Sequence, residues 1–311
     1  PDEVDELLES LTKQSLQDFE VLIVEDGSSQ PCQEVAERYA DALNVRYFMK
    51  ENSGPGGSRN YGVERAKGEY VIILDSDVVL PEGYLQAVDA ELNAAPCDAF
   101  GGPDRAHESF TPMQKAINYA MTSFFTTGGI RGGKKKMDKF YPRSFNMGVR
   151  RTIYAALNGF SNMRFGEDID FSTRIFEQGY ACRLFPEAWV WHKRRTDLRK
   201  FFKQVHNSGI ARINLTKRHP GTLKLVHALP AVFAAGCALL AVLTLSACGT
   251  PAASGSASSA PSGSTSSAGS ASSQPVSLPA DPAEDSLAAG DTYELYRQVT
   301  VSNGRVLTLV I

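Results

Sequence analysis

Two aspartates one residue apart, Asp75 and Asp77, follow an apolar run in this 311-residue chain. Two carboxylates this close repel each other unless a cation or hydrogen-bond donors lie between them. Carboxylate oxygens suit Mg²⁺ and Mn²⁺, and these ions commonly complete their coordination with substrate phosphates. The pair therefore indicates either a metal and phosphate site or a solvated turn that caps the helix after Pro81.

The strand before this pair and its neighbours predict the fold. Tyr70 to Leu74 is continuously apolar, which is typical of a strand buried on both faces. Strand-like and helix-like segments alternate before and after it, which predicts an α/β fold with a mainly parallel sheet flanked by helices. Open sheets of this kind bind ligands at their carboxyl edge, where Asp75 and Asp77 would lie.

Two further segments bring polar groups to the same edge. Phe19 to Val24 is a predicted strand that ends at Glu25 and Asp26. A Gly-rich loop, Asn52 to Gly62, leads into a predicted helix. Its glycines allow a ligand to approach the backbone, and the helix-start amides together with Arg59 favour an anion. Each segment taken alone is also typical of a tight turn.

Three more side chains are candidates for catalysis or metal binding. Glu167 and Asp168 follow Gly166 at the start of a predicted helix. Acidic residues are common at helix starts, so they are either a catalytic pair or charges that stabilise the helix. His192 follows a short predicted strand and is either a metal ligand or a structural residue.

Composition narrows the function classes. The net charge of −3 argues against a nucleic-acid partner. The five cysteines are scattered without a C-x-x-C pair, which argues against a disulfide framework and a zinc site. The apolar fraction of 42% is that of an ordinary globular protein.

The order of the motifs resembles that of the family-2 glycosyltransferases, whose Rossmann-like architecture is called the GT-A fold. The resemblance covers roughly residues 1–229, and five motifs in the same order argue against coincidence. These are E-D-G-S after the first predicted strand, Arg59-Asn60 in the Gly-rich loop, D-S-D, N-G-F before G-E-D, and W-H-K-R-R.

The resemblance implies a role for each matching residue. Asp26 would read the base edge of a nucleotide, and Arg59 would hold the nucleotide end of a sugar donor. Asp75 and Asp77 would face the ribose and the metal. The implied nucleotide-sugar site is Glu25, Asp26, Arg59, Asp75 and Ser76, and the implied Mn²⁺ or Mg²⁺ site is Asp77, Asp75 and His192.

The resemblance also implies a reaction. Asp168 is similar to the catalytic base of inverting members, and Glu167 would lie beside it at the acceptor. A metal would act as a Lewis acid on the leaving diphosphate, while Asp168 takes the proton of the acceptor hydroxyl. The expected partners are a nucleotide-diphosphate sugar and a glycan or lipid-linked acceptor, as in surface polysaccharide synthesis. No Gln-x-x-Arg-Trp signature occurs, which favours single transfer over processive synthesis.

The chain departs from the family pattern at its beginning. The family's opening strand, with an apolar I-P-x-Y-N stretch, would lie before Pro1 and is not in this sequence. We therefore expect the sheet to lack a central strand and the nucleotide pocket to be incomplete.

The carboxyl-terminal third predicts different segments. Leu229 to Cys248 is an apolar run long enough to span a bilayer, and basic residues before it would place the catalytic domain on the cytoplasmic face of a bacterial membrane. Leu245 to Cys248 also resembles a lipoprotein lipobox. The expected divisions are a catalytic domain (1–224), a transmembrane or signal-like helix (225–248), a Ser/Ala/Gly-rich linker (249–280), and a poorly ordered, truncated tail with a possible hairpin (281–311).

Two other functions stay open on the sequence. A nucleotidyltransferase would also use carboxylates at strand ends with Mg²⁺, but its Gly-rich loop with a lysine near the first strand is not found here. A lipid-anchored surface binding protein would instead use the lipobox at Cys248 as its anchor.

Overall fold

The computed structural model describes residues 1–122, 140–193, 195–223, 225–248, 292–293 and 307–311. The chain divides into two compact units. The first comprises Pro1–Thr222 with Ala288–Ile311, and the second comprises Leu223–Leu287. The first unit contains the sheets and every candidate site residue.

The main sheet of the described residues has eight strands and is mainly parallel around its centre. Along the sheet the order is β10-β2-β1-β11-β3-β7-β5-β8. Strand β7 is antiparallel to both of its neighbours, and β10 is antiparallel to β2. The strands are β1 (Phe19–Asp26), β2 (Asn44–Lys50), β3 (Tyr70–Leu74), β5 (Ala99–Gly101), β7 (Asn146–Arg150), β8 (Cys182–Leu184), β10 (Thr292–Tyr293) and β11 (Leu307–Val310).

A small sheet of three strands lies beyond the carboxyl end of β3. Its middle strand is β9 (Val190–His192), with β4 (Val78–Val79) on one side and β6 (Asp104–Arg105) on the other. This sheet joins segments that are more than a hundred residues apart in the chain, because Val78 pairs with His192.

Helices cover both faces of the main sheet, as the alternating segments predict. Helices α1, α2 and α4 pack on one face, and α3, α6 and α7 pack on the other. Successive residues of each strand point to opposite faces and so contact the two helix layers in turn. The helices are α1 (Asp2–Thr12), α2 (Gln33–Arg38), α3 (Gly54–Arg65), α4 (Tyr84–Ala94), α5 (Pro112–Thr122), α6 (Arg151–Ala156), α7 (Glu167–Glu177), α8 (Leu198–Arg218) and α9 (Leu229–Cys248), with a 3₁₀ helix at Leu225–Ala228.

Strand β11 corrects the expectation that the sheet lacks a central strand. Leu307 pairs with Phe19 of β1 on one side and with Tyr70 of β3 on the other, both in parallel register. A distant segment of the chain thus fills the position where the family's opening strand was expected. The predicted hairpin is also wrong for this segment, because both edges of β11 are already paired; its proposed first strand, 295–301, lies outside the described residues.

The sequence of β11 suits this buried position. Leu307 and Leu309 pack on one face, and Val310 packs on the other. Between them, the Thr308 hydroxyl donates to Glu20 Oε1 at 2.5 Å and accepts from the Gly68 N–H at 2.9 Å. The one polar side chain of the strand is therefore satisfied, as burial requires.

Because Leu309 is 0% exposed, we expect Leu309→Ala to lower the free energy of unfolding by about 2–5 kcal/mol. Leu198→Ala is the matched control, since Leu198 is 62% exposed and its truncation should change stability by no more than about 0.5 kcal/mol. Urea unfolding followed by circular dichroism measures both. Equal small effects would show that β11 is not part of the core in solution.

The apolar run near residue 240 forms helix α9, a helix of 20 residues. Among the described residues, however, no helix combines the length and the apolar character needed to cross a membrane. The Ser/Ala/Gly-rich linker, 249–280, lies outside the described residues.

Candidate active site

The predicted metal ligands meet because of the small sheet. Asp75 and Asp77 lie between the ends of β3 and β4, and His192 is the last residue of β9. The β4–β9 pairing brings His192 to the start of β4, and the Lys193 N–H donates to the Asp77 carbonyl at 3.0 Å. Two backbone contacts therefore hold residues from distant parts of the chain at one point.

Ligand atoms of Asp75, Asp77 and His192 all lie within 4.8 Å of one another. Asp77 Oδ1 is 3.3 Å from His192 Nε2, and it is buried without a well-aligned hydrogen bond among the described residues. Burial by itself raises the pKa of Asp77, but His192 and the charge of Arg195 outweigh it and hold that pKa below its ordinary value. An ionised, buried carboxylate oxygen beside a second carboxylate and a histidine nitrogen fits a divalent cation.

The His192 ring is held from two sides. Phe145 stacks on it with 4.7 Å between ring centroids, and Asp104 Oδ2 lies 3.8 Å from Nδ1. The 3.8 Å distance is that of an ion pair and is longer than a hydrogen bond, and a carboxylate on this side of the ring favours binding of a cation at Nε2. The arrangement leaves Nε2 directed at Asp77.

A cavity of about 660 Å³ lies beside this cluster at the carboxyl ends of β1 and β3. The lining of this cavity contains every residue of the predicted nucleotide-sugar and metal set except His192, which lies beside Asp77 in the metal cluster. We call this space the donor cavity, after the sugar donor that the family resemblance predicts here. Its lining includes Glu25, Asp26, Arg59, Asp75, Ser76 and Asp77, together with Arg195 and the β11 end residues Val310 and Ile311.

The acidic end of β1 is tied to neighbouring groups. Asp26 Oδ1 accepts from Lys50 Nζ at 2.5 Å and from the Ser53 N–H at 2.8 Å. Burial raises the pKa of Asp26, but these donors outweigh it and lower that pKa overall. Glu25 Oε2 accepts from the Cys32 N–H at 3.0 Å. Both carboxylates are therefore fixed in place at the rim of the donor cavity.

Arg59 connects the two halves of the site. Its terminal nitrogens donate to Asp75 Oδ1 and to Glu167 Oε1, each at 2.8 Å. Its guanidinium also lies 5.4 Å from the ring centroid of Phe160. With two carboxylates as partners, Arg59 orients the site in addition to lining the donor cavity.

Glu167 and Asp168 line a second cavity of about 730 Å³, next to the first. We call it the acceptor cavity, after the acceptor that the family resemblance predicts beside Glu167. The two cavities share Pro55, Arg59, Asp75 and Arg195 in their linings. A molecule in one cavity would therefore meet a molecule in the other at Asp75 and Arg59.

Asp168 is buried and held by two donors. Arg143 Nε donates to Oδ2 at 2.6 Å, and the Ile169 N–H donates to Oδ1 at 2.8 Å. Burial alone would raise the pKa of Asp168, but the charge and hydrogen bond of Arg143 outweigh it and lower that pKa. In Glu167 the balance is opposite, because burial and the neighbouring Asp168 charge raise its pKa more than Arg59 lowers it. Adjacent carboxylates with diverging pKa values are typical of acid–base sites.

The loop before α7 gives this pair its position. Gly166 adopts a left-handed backbone with φ of 84°, and an added Cβ would lie 3.0 Å from Ala211 Cβ of α8. Asn60 holds the preceding N-G-F segment, since it donates to the Phe160 carbonyl and accepts from the Phe160 N–H at 2.9 and 2.8 Å. The Gly-rich loop and the G-E-D motif are thus parts of one structure.

Removing the cation beside Asp168 should move the pH dependence of catalysis. In Arg143→Gln the pKa of Asp168 loses its main lowering influence and rises, so the acidic limb of the pH profile of kcat should shift to higher pH. Turnover measured from pH 4 to 9 tests this for Asp168 as the catalytic base that the resemblance implies, with Arg38→Gln, an exposed cation on α2, as control. An unshifted acidic limb would mean that Asp168 does not govern it.

The family assignment now rests on more than motif order. A family model described as glycosyl transferase family 2 matches residues 1–157, half of the chain. The chain belongs to glycosyl transferase family 2. The matched part contains both acidic strand ends and the Gly-rich loop, so the resemblance to family 2 is confirmed there. The G-E-D and W-H-K-R-R motifs lie beyond residue 157, and the lipoprotein-like segment stays a prediction.

Relatives within the family are partial matches. An uncharacterized glycosyltransferase of Bacillus subtilis, EpsJ, is 26% identical over 194 residues, which are 60% of this chain and 55% of EpsJ. A GalNAc(5)-diNAcBac-PP-undecaprenol beta-1,3-glucosyltransferase of Campylobacter jejuni is 30% identical over 101 residues, 32% of this chain and 33% of that enzyme. The family 2 chain described here thus spans about half of EpsJ and a third of the Campylobacter enzyme.

Solved structures share the fold. A mannosyltransferase from Pyrobaculum calidifontis, solved with GDP-Man and Mn²⁺, superposes with a TM-score of 0.57 at 18% identity, covering 72% of this chain and 61% of that one. TarS 1-349 of S. aureus, solved with UDP-GlcNAc, gives 0.50 at 20% identity, covering 72% and 65%. The α/β, GT-A-like fold with a mainly parallel sheet is therefore confirmed.

Two residues that hold this family 2 site were missed in the sequence. Lys50 lies at the end of β2 and binds Asp26, and Arg143 precedes β7 and binds Asp168. Neither belongs to one of the five motifs. For Lys50 the sequence offered a signal, because a cation ends one strand and an acidic pair ends the neighbouring strand. For Arg143, nothing in the local sequence indicates its partner.

Proposed function

We propose that this chain is an inverting, metal-dependent glycosyltransferase that moves a sugar from a nucleotide diphosphate to a glycan or lipid-linked acceptor. The observation that carries the proposal is the pair of adjoining cavities. Asp77 lies at the first and Asp168 lies at the second, with Asp75 and Arg59 between them. This is the arrangement that a single displacement between two bound substrates requires.

In the donor cavity, Asp26 and Glu25 face the nucleotide base and Asp75 with Ser76 faces the ribose. Asp77, Asp75 and His192 would hold Mn²⁺ or Mg²⁺, and the bound ion would supply Lewis-acid stabilisation of the leaving diphosphate. Arg195 lines the same cavity and adds positive charge where the diphosphate leaves.

In the acceptor cavity, Asp168 accepts the proton of the attacking hydroxyl. The oxygen then bonds to the anomeric carbon as the bond to the diphosphate breaks, which inverts the anomeric centre. Arg143 keeps Asp168 ionised and fixes its orientation through the 2.6 Å contact. Arg59 positions Glu167 and Asp75 on either side of the reaction centre.

The released product distinguishes this proposal from a nucleotidyltransferase. Purified protein is incubated with UDP- and GDP-sugars, Mn²⁺ and candidate acceptors, and products are separated by ion-exchange chromatography. Nucleoside diphosphate release supports sugar transfer, whereas release of pyrophosphate from nucleoside triphosphates with a sugar phosphate would refute it.

We also propose that the enzyme works at the cytoplasmic face of a bacterial membrane. The support is the exposed apolar side chains of α9, among them Phe233, Leu239 and Leu240, and the basic residues Lys217 and Arg218 before this helix, which suit attachment at an anionic membrane surface. Fractionation of expressing cells tests this, since activity that pellets with membranes agrees with it and activity confined to the supernatant contradicts it.

A further inference from the structure

The acceptor cavity carries a strong positive charge. Seven Lys and Arg side chains and three carboxylates line it, an excess of four positive charges in a chain whose net charge is −3. An acceptor without charge would gain little from such a lining. The charge therefore needs an explanation beyond the binding of a neutral sugar.

Ion pairs within the protein do not neutralise all of this positive charge. Arg59 and Arg143 bind the site carboxylates, and Lys200 lies 3.5 Å from Asp197. In contrast, Lys203 and Arg212 form no ion pair within 4 Å in the described part of the chain. These two cations are available to a ligand.

Arg212 is the more informative of the two. It is partly buried, and both its burial and the charge of Arg143 lower its pKa. A partly buried guanidinium next to another one is unfavourable unless an anion neutralises it. Arg143 is already bound to Asp168, so the anion that Arg212 lacks would have to come from the ligand.

Helix α8 presents a continuous polar face to this cavity. Its lining residues recur at helical spacing, so a single ligand can reach several of them. The opposite side carries exposed apolar residues, among them Phe202, Val205 and Ile213. The cavity-facing set on α8 includes Lys200, Lys203, Gln204, Asn207, Ser208 and Arg212.

From this geometry we infer that the acceptor carries a phosphate or diphosphate group, bound by Arg212 and Lys203 of α8 while its hydroxyl lies at Asp168. The inference rests on the proposed function and names the acceptor class. An excess of four charges matches a multiply charged phosphate better than a single carboxylate, and guanidinium groups bind phosphate through paired hydrogen bonds.

This phosphate is separate from the diphosphate of the donor. Arg212 and Lys203 line the acceptor cavity and do not line the donor cavity, whose cations are Arg59 and Arg195. Variants of α8 should therefore affect the two substrates differently.

The test is calorimetric titration of the full chain with inorganic pyrophosphate at low salt in EDTA. We expect Arg212→Gln and Lys203→Gln each to weaken pyrophosphate binding by about 10- to 100-fold, the loss of a charged hydrogen bond. Arg199→Gln is the matched control, since Arg199 is exposed on the same helix and outside the cavity lining. Unchanged binding in both α8 variants would overturn the inference, as would equally strong binding of glucuronate.

A second titration separates this inference from the proposed function. Nucleoside diphosphate with Mn²⁺ should bind Arg212→Gln as it binds the unchanged protein, and should fail to bind Asp77→Asn. Pyrophosphate binding that depends on Asp77 and not on Arg212 would place the anion in the donor cavity and refute the inference. If neither the unchanged protein nor the variants bind nucleotide, the proposed function is refuted. The comparison of pyrophosphate binding between the α8 variants and the unchanged protein would still be valid.

The source of the phosphate is resolved by competition against bound pyrophosphate. Displacement by farnesyl diphosphate in detergent micelles would assign the group to a lipid carrier. Displacement by glycerophosphoglycerol would assign it to a phosphodiester polymer. Displacement by neither compound would count against a phosphate-bearing acceptor.

Discussion

Asp77→Asn should abolish metal-dependent donor binding and reduce sugar transfer by at least about 1,000-fold. The buried Oδ1 of Asp77 lies in the cluster with Asp75 and His192, and an amide there removes the negative charge that would hold the cation. Lewis-acid assistance is worth several kcal/mol, and each 1.4 kcal/mol corresponds to roughly tenfold in rate. Calorimetry with nucleoside diphosphates and Mn²⁺ measures the binding loss directly.

Asp41→Asn is the matched control for this change, because Asp41 is an exposed aspartate between α2 and β2. It should bind donor and metal as the unchanged protein does. Equal Mn²⁺-dependent binding by Asp77→Asn and the unchanged protein would remove the basis for the whole donor site. The result is independent of which acceptor is used.

Asp168→Asn should lower kcat by about 10²- to 10⁴-fold, the usual contribution of a positioned general base. Donor affinity should stay the same, since Asp168 lines the acceptor cavity and not the donor cavity. Single-turnover kinetics at saturating donor separate the chemical step from binding. A loss of donor affinity without a loss of kcat would contradict the assignment.

Glu167→Gln is the informative comparison, because this neighbour has a raised pKa and binds Arg59. If Asp168 is the base, Glu167→Gln should reduce kcat less than Asp168→Asn does. The smaller reduction in Glu167→Gln would come from misplacement of Arg59, which loses its carboxylate partner. A larger loss in Glu167→Gln would move the role of base to Glu167. Circular dichroism of both variants shows whether α7 remains folded.

The sequence predicted the site better than it predicted the sheet. Asp75 and Asp77 lie at a strand end as expected, since a continuous apolar run and the residues after it are local information. His192 joins them through the β4–β9 pairing. Its expected place in the metal site rested on the family resemblance and not on a local pattern. The role of each residue stays a prediction that the variants above test.

Features that depend on distant partners were not predictable. Helix α8 is basic and amphipathic, yet its apolar residues Phe202 and Ile213 are exposed and its polar face lines the acceptor cavity. Hydrophobic spacing reveals that a helix has two faces but not which face the rest of the protein covers. Strand β11 shows the same limit, because an apolar run of a few residues does not encode which strands it pairs with.

The position of β11 has a consequence for how the protein folds. Thr308 and Glu20 are 288 residues apart in the chain, whereas Arg46 and Glu20 on the neighbouring strand pair are 26 apart. Closing the longer loop costs about 2 kcal/mol more in chain entropy. Contacts of such long range also slow folding.

Because β11 comes from so far along the chain, we expect the position between β1 and β3 to be filled late in folding. Val310 and Ile311 line the donor cavity, so the cavity is completed in the same step that closes the sheet. The protein would therefore become able to bind nucleotide only late in folding, in a single step. Nucleotide binding would then report when β11 has entered the sheet.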